Sequence, residues 1–202
     1  MGRQAHTKRK ALVKRKTEET AVSVTVAVDG KGKSTIKTGI GFLDHMLTLF
    51  AKHGVFDLTI AATGDTHVDI HHTNEDVAIC LGEAFKKALG KKEGICRYGV
   101  SYVPMDESLV RVALDLSGRP YAVFAGLDYR DVERDDYYHS DLEHFIQSFA
   151  QHAGITVHVD VIRGTDKHHI IEAAFKALAK ALDGATKKDT RVRGVPSTKG
   201  VL

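Results

Sequence analysis

The sequence predicts an internally duplicated α+β protein whose two similar halves each lay two helices on one face of a sheet. Three observations carry this. A helical segment containing two histidines recurs, a His-His-x-x-Glu segment recurs after it, and the elements around both follow the order strands, helix, strand, helix. The first repeat is Phe42 to Gly54 against Asp141 to His152, each with an acid, a His, an apolar pair, Phe-Ala and a second His. The second is His71 to Glu75 against His168 to Glu172. His45 and His144 are 99 residues apart and His71 and His168 are 97 apart, so only two residues of slippage separate the estimates. Two units this long are not a solenoid; each contributes half of something.

Taking the elements in order, Val22 to Val28 alternates apolar and small polar residues, as a half-buried strand requires. Asp29-Gly30-Lys31-Gly32 reads as a turn and Ser34 to Thr38 as the returning arm of a hairpin. Phe42 to His53 carries a helical apolar stripe closed by Gly54 as C-cap, Val55 to Ala62 is a strand, and His71 to Leu89 is a helix ending at Gly90. The second half offers strands at 98–104, 109–116 and 121–125, a helix at 141–153, a strand at 155–162 and a helix at 167–182. Helices on one face of each sheet can bury that face only against the helices of the other half. The organisation expected is a basic arm (1–16), a first half (17–92), a second half (93–185) and a C-terminal tail (186–202).

With 202 residues, 43% hydrophobic and 27% charged, the chain has enough apolar surface for a sizeable core and too much for disorder. No run reaches the roughly 18 apolar residues of a membrane span. The formal charge of +3 hides an asymmetry, because Arg3, Lys8, Arg9, Lys10, Lys14, Arg15 and Lys16 crowd the first sixteen residues. No aromatic residue interleaves with them, so the arm reads as a solvated tail rather than a nucleic-acid contact. It lacks the apolar segment of a secretory signal, and Cys80 and Cys96 make neither a disulfide framework nor a thiolate zinc site. A reducing, cytoplasmic setting is expected. Twelve histidines against no tryptophan are the anomaly.

A His followed four residues later by Glu on a helix places imidazole and carboxylate one turn apart on one face, within reach of one cation. His71 with Glu75 and His168 with Glu172 have this spacing. The neighbouring His72 and His169 are rotated by about 100° and serve a second ion instead. Each ion then takes the His/Glu face of one motif and the remaining His of the other, with His45 and His144 adding a nitrogen each. Six imidazoles and two carboxylates without a thiolate suit manganese or iron at least as well as zinc, and leave open coordination positions for catalysis. Isolated histidines such as His6, His67, His139 and His158 are read as surface or core residues.

The segments Thr38 to Leu47, Gly64-Asp65 with His71 to Asp76, Pro104 to Glu107, Asp115 to Pro120 and Val195 to Gly200 together resemble the imidazoleglycerol-phosphate dehydratase family, over a span from about Arg15 to the C-terminus. The resemblance implies a four-helix layer between two four-stranded sheets. It also implies a homo-oligomeric 24-mer with active sites between neighbouring chains, and two Mn²⁺ per site held at the eight positions above. The implied reaction is loss of water from D-erythro-1-(imidazol-4-yl)glycerol 3-phosphate, giving 3-(imidazol-4-yl)-2-oxopropyl phosphate in histidine biosynthesis. One departure is Leu49, where many relatives carry Gln near the substrate. The family also includes forms fused to a phosphatase domain, and a monofunctional protein is expected here.

The leaving carbon-bound proton is not next to a carbonyl, so the imidazole ring must accept charge, as a metal-bound imidazolate that pushes out the hydroxyl group. The resemblance makes Glu19 the acid/base for the side-chain protons, with His53 as a fallback, and makes Glu75 and Glu172 ligands. Arg97, Arg119, Ser197 and Lys199 offer charged forks and a hydroxyl for the phosphate. Two other functions fit the histidine clusters less well. A binuclear metal-dependent phosphate hydrolase would draw on bridging aspartates, and a non-catalytic metal-binding assembly rests on the histidine count alone.

Overall fold

The computed structural model describes residues 9–127 and 137–202. The first half runs β1 (Lys10–Lys16), β2 (Thr20–Ala27), β3 (Ser34–Lys37), α1 (Gly41–Gly54), β4 (Asp57–Gly64) and α2 (His71–Leu89). The second runs β5 (Tyr98–Met105), β6 (Ser108–Asp115), β7 (Tyr121–Ala125), α3 (His139–Ala153), β8 (Thr156–Arg163) and α4 (Lys167–Thr186). The sheets have the same topology, β1-β2-β4-β3 and β5-β6-β8-β7, with the last pair parallel and the others antiparallel. The predicted duplication and α+β class are therefore what the chain adopts.

Alternation places Val22, Val24 and Val26 of β2, and Val110, Val112 and Leu114 of β6, on the inner faces of the two sheets. α2 covers the first sheet and α4 the second, and the helices then pair across the halves, α1 against α4 and α2 against α3. Where they cross, Phe50 and Phe85 of the first half meet Phe149 of the second, with ring centroids 6.5 and 5.7 Å apart, and Phe56 packs on both Phe50 and Phe85 (5.5 and 5.0 Å). All four are fully buried. Burial of each ring stabilises by about 1.5–3 kcal/mol, so neither half is expected to hold its helices in place alone.

Three expectations are corrected. The basic arm ends sooner than expected: Lys10 to Lys16 form β1, paired along its whole length with β2, with Val13 buried, Arg15 on the same face ion-paired with Asp76 of α2 (2.6 Å), and Lys10, Lys14 and Lys16 exposed on the other face. Exposed lysines on an edge strand also deter unwanted pairing. Ser34–Lys37 does not return on β2, because β1 and β4 occupy both sides of that strand; β3 pairs parallel to β4 instead. The turn before it is held by Asp57, which accepts the backbone N–H groups of Lys31 (2.8 Å) and Lys33 (3.1 Å). Lastly, the left-handed residue ending α1 is Val55 (φ 58°), not Gly54. Gly54 is needed for space, since a Cβ there would lie 2.3 Å from the Phe56 ring.

Candidate active site

Both His-His-x-x-Glu motifs open a helix, and loop carboxylates start those helices. Asp69 accepts the His71 N–H (2.9 Å), and Asp166, the N-cap of α4, accepts that of His169 (3.2 Å). Asn74, inside the first motif, donates to the Asp141 carbonyl (2.9 Å) and accepts from the Tyr137 hydroxyl (2.8 Å). This buried link ties the start of α2 to the start of α3.

The helix pairing decides which histidines meet. His45 of α1 joins His168 and Glu172 of α4, and one ligand atom from each lies within 4.8 Å of the others. The Glu172 Oε2 is 3.4 Å from His45 Nε2 and 3.3 Å from His168 Nε2. His71 of α2 faces His144 of α3, Nδ1 to Nδ1 at 3.2 Å, beside a cavity of about 670 Å³ lined also by Phe42, Asp69 and Tyr138. Each group takes members from both halves. The donor set, imidazole nitrogens and one carboxylate converging without a thiolate, fits a divalent ion of intermediate hardness with coordination positions to spare.

Glu75, on the exposed face of α2, does not complete a three-membered group with His71 and His144 among the described residues. Its counterpart Glu172 is 8% exposed at the side chain and ion-paired at 2.5 Å with Lys176. Burial pushes the Glu172 carboxyl up, but Lys176 and the two histidines outweigh it and hold it below the usual range. His53, half-buried on α1, is pushed below the ordinary imidazole value by burial and by Lys176 and Lys180, so it is neutral at pH 7. Leu49 packs partly buried against the core.

His72 and His169 turn away from both groups toward carboxylates. His72 Nδ1 is 3.2 Å from both oxygens of Asp65, and Glu19, on the β1–β2 turn, is further off at 3.8 Å. His169 Nδ1 is 2.7 Å from Glu107, on the β5–β6 turn. These partners raise both imidazoles. Glu107 is itself held well below the carboxylate range by the Asp166 N–H, His169, Ser108 and the Thr165 N–H.

The phosphate candidates gather elsewhere. Arg97 forks onto Asp115 (2.8 and 3.1 Å) and donates to the Pro196 carbonyl (2.8 Å), which ties the tail down, while its own N–H bonds to Ala185 at the end of α4. Arg119 is 70% exposed and 3.9 Å from Asp115, Ser197 Oγ accepts the Lys199 N–H at 3.2 Å, and Lys199 is exposed. Along α4, Glu172 and Ala185 are about 20 Å apart at 1.5 Å per residue. One chain therefore holds the histidine groups and the phosphate candidates at opposite ends of a helix.

A family model described as imidazoleglycerol-phosphate dehydratase matches residues 38–182. The chain belongs to the imidazoleglycerol-phosphate dehydratase family. Relatives of that name include the protein of Caldanaerobacter subterraneus subsp. tengcongensis, 57% identical over 96% of this chain and 100% of its own length. The Methanocella arvoryzae protein is also 57% identical, with the same coverage. Among solved structures, the imidazoleglycerol-phosphate dehydratase of Pyrococcus furiosus, in complex with (S)-C348, superposes with a TM-score of 0.81 at 40% identity, covering 94% of this chain and all of that one. The Staphylococcus aureus enzyme gives 0.78 at 38% identity, covering 89% and 99%. The sequence reading leaves Asp65, Glu107 and Lys176 of this family member unassigned. The signals were present: Asp65 and Glu107 lie within quoted motifs, and Lys176 stands four residues after Glu172 on one helix.

Proposed function

We propose that the chain is a hydro-lyase of histidine biosynthesis, converting D-erythro-1-(imidazol-4-yl)glycerol 3-phosphate into 3-(imidazol-4-yl)-2-oxopropyl phosphate. The supporting observation is that two histidine groups, each drawn from both halves, stand at one end of the helix layer, and an arginine, serine and lysine set stands at the other. A small phosphorylated imidazole cannot span the length of α4. The reading therefore has a neighbouring subunit complete each site, as in a closed homo-oligomer such as a 24-mer, working in the cytoplasm.

His45, His168 and Glu172 hold one ion and His71, His144 and Glu75 the other, with His72 and His169 of adjoining chains as further ligands; Mn²⁺ is the ion proposed, two per site. When bound, the metals supply Lewis acidity that lets the imidazole ring carry negative charge as the hydroxyl group departs. Glu19 is 57% exposed at the side chain and too far from His72 for a hydrogen bond, which leaves its carboxylate free to take and return the side-chain proton. Neutral His53, near Lys176 and Glu172, is the second candidate base. Arg119, Lys199 and Ser197 bind the phosphate, and Arg97, engaged by Asp115, holds the tail that carries Pro196.

The test is incubation of the Mn²⁺-loaded protein with imidazoleglycerol phosphate. Formation of the ketone without phosphate release supports the dehydratase. Free inorganic phosphate points to the hydrolase, and no turnover leaves a metal-binding assembly.

A further inference from the structure

The two halves treat their second histidine differently, and the sheet registers identify the equivalent residues. In the first half Glu19 precedes Thr20, which pairs with Gly64, and Asp65 follows. In the second half Glu107 precedes Ser108, and the neighbouring Leu109 pairs with Arg163, which Gly164 follows. Glu107 is thus the counterpart of Glu19, Gly164 that of Gly64, and Thr165 that of Asp65. The two glycines match in their surroundings as well: a Cβ at 64 would lie 2.2 Å from Thr73 Oγ1 and one at 164 would lie 2.7 Å from Ile170 Cγ1, each two residues after the first histidine of its motif. Thr165 offers no carboxylate, so the second half has none at this position to hold its histidine, and the hairpin glutamate takes that place.

We infer that Glu107 and Asp65 are positioning residues that hold His169 and His72 in the ligating tautomer, and that Asp65 is what leaves Glu19 uncommitted. This rests on the metal centre proposed above. An ionised carboxylate only accepts, so in the neutral ring the Nδ1 at 2.7 Å from Glu107 carries the hydrogen and Nε2, 3.7 Å from Asp106, keeps the lone pair a metal would take. The other oxygen of Glu107 accepts the N–H groups of Asp166 (2.9 Å) and Thr165 (3.1 Å) and the Ser108 hydroxyl (2.8 Å), so the start of α4 and the ring are set by one side chain. Asp65 aims both oxygens at His72, and no backbone N–H donates to its carboxylate among the described residues.

The probe is Mn²⁺ itself, titrated into chelator-stripped protein against a competing indicator, with the melting temperature of the metal-free protein recorded for each variant. Glu107→Gln places an amide N–H or a mismatched backbone contact where an acceptor is required. It is expected to weaken one class of Mn²⁺ site by roughly 10–100-fold. Asp65→Asn, which disturbs no backbone bond, is expected to weaken the other class by a similar factor with the metal-free melting temperature unchanged. Glu19→Gln is expected to leave both affinities at the parent value. Parent-like Mn²⁺ affinity in Asp65→Asn and in a folded Glu107→Gln overturns the inference, as does an equal loss in Glu19→Gln. A parent protein that binds no Mn²⁺ overturns the metal centre and this inference with it, whereas intact binding with these variants silent overturns the inference alone.

Discussion

The two halves share a sheet order, a helix pattern and a His-His-x-x-Glu motif, yet the carboxylates around the motif differ. In the first half Asp65 engages His72 and Glu19 stands apart; in the second Glu107 engages His169 and pins the loop before α4. Glu75 lies exposed, and Glu172 is buried against Lys176. A duplicated scaffold supplies symmetric ligands, but an asymmetric substrate needs a proton carrier on one side only. The difference teaches that the two halves keep the same candidate ligand residues while the carboxylates that touch them differ.

The largest expected effect comes from removing the shared element. His72→Ala and His169→Ala should each abolish turnover and weaken assembly, since each ring is proposed to join motifs of different chains. Activity assays and size-exclusion chromatography with and without chelator check this; a full-sized assembly that persists unchanged in chelator breaks the crosslinking claim. Next, Glu19→Gln keeps the shape of the side chain and removes its proton transfer, so kcat should fall by roughly 10²–10⁴-fold with metal content intact. Turnover near the parent rate would place the proton on His53 or on a water, and the two hairpin glutamates would no longer differ in role.

A third test separates the free from the committed arginine. Arg119→Ala and Lys199→Ala should mainly raise KM, by about 1.5–3 kcal/mol per lost contact, without altering the melting temperature. Arg97→Ala should lower the melting temperature as well, because Asp115 loses its fork and Pro196 its donor. Steady-state kinetics beside thermal melts distinguish them.

The smallest effect concerns pH. Asp57 pins the turn at Lys31 and Lys33 much as Glu107 pins residues 165 and 166, and the two backbone N–H groups hold its carboxyl below the usual range. A depressed folded-state pKa means the contribution is fully present above the unfolded value of about 4 and is lost as pH falls through the folded value. The metal-free protein should therefore melt at lower temperature between pH 5 and 3, and Asp57→Asn should flatten part of that slope. A parallel slope in the variant removes Asp57 from the acid response.

Much of the fold was legible because its signals are local and repeated. The Phe42–His53 stripe and the Val22–Val28 alternation report their own burial, and the recurrence of His45 and His71 at His144 and His168 exposed the duplication. What misled were features whose partner is distant in sequence. Lys10 to Lys16 read as a tail because Val13 is its one fully buried side chain among four cations, and Ser34 to Lys37 read as a hairpin arm because its neighbour in sequence was β2.

By itself the sequence determined the α+β class, the two halves, the family and the residue types able to bind a divalent metal, because periodicity and motif spacing are properties of the chain. Only the tertiary structure decided that α1 meets α4 and α2 meets α3, so that His45 belongs with Glu172 and His71 with His144. It also decided that Glu107, not Glu19, holds a histidine. Those choices depend on which buried faces pack across the halves and on which loop carboxylate the strand register brings to each second histidine, and neither is a property of any local stretch of sequence.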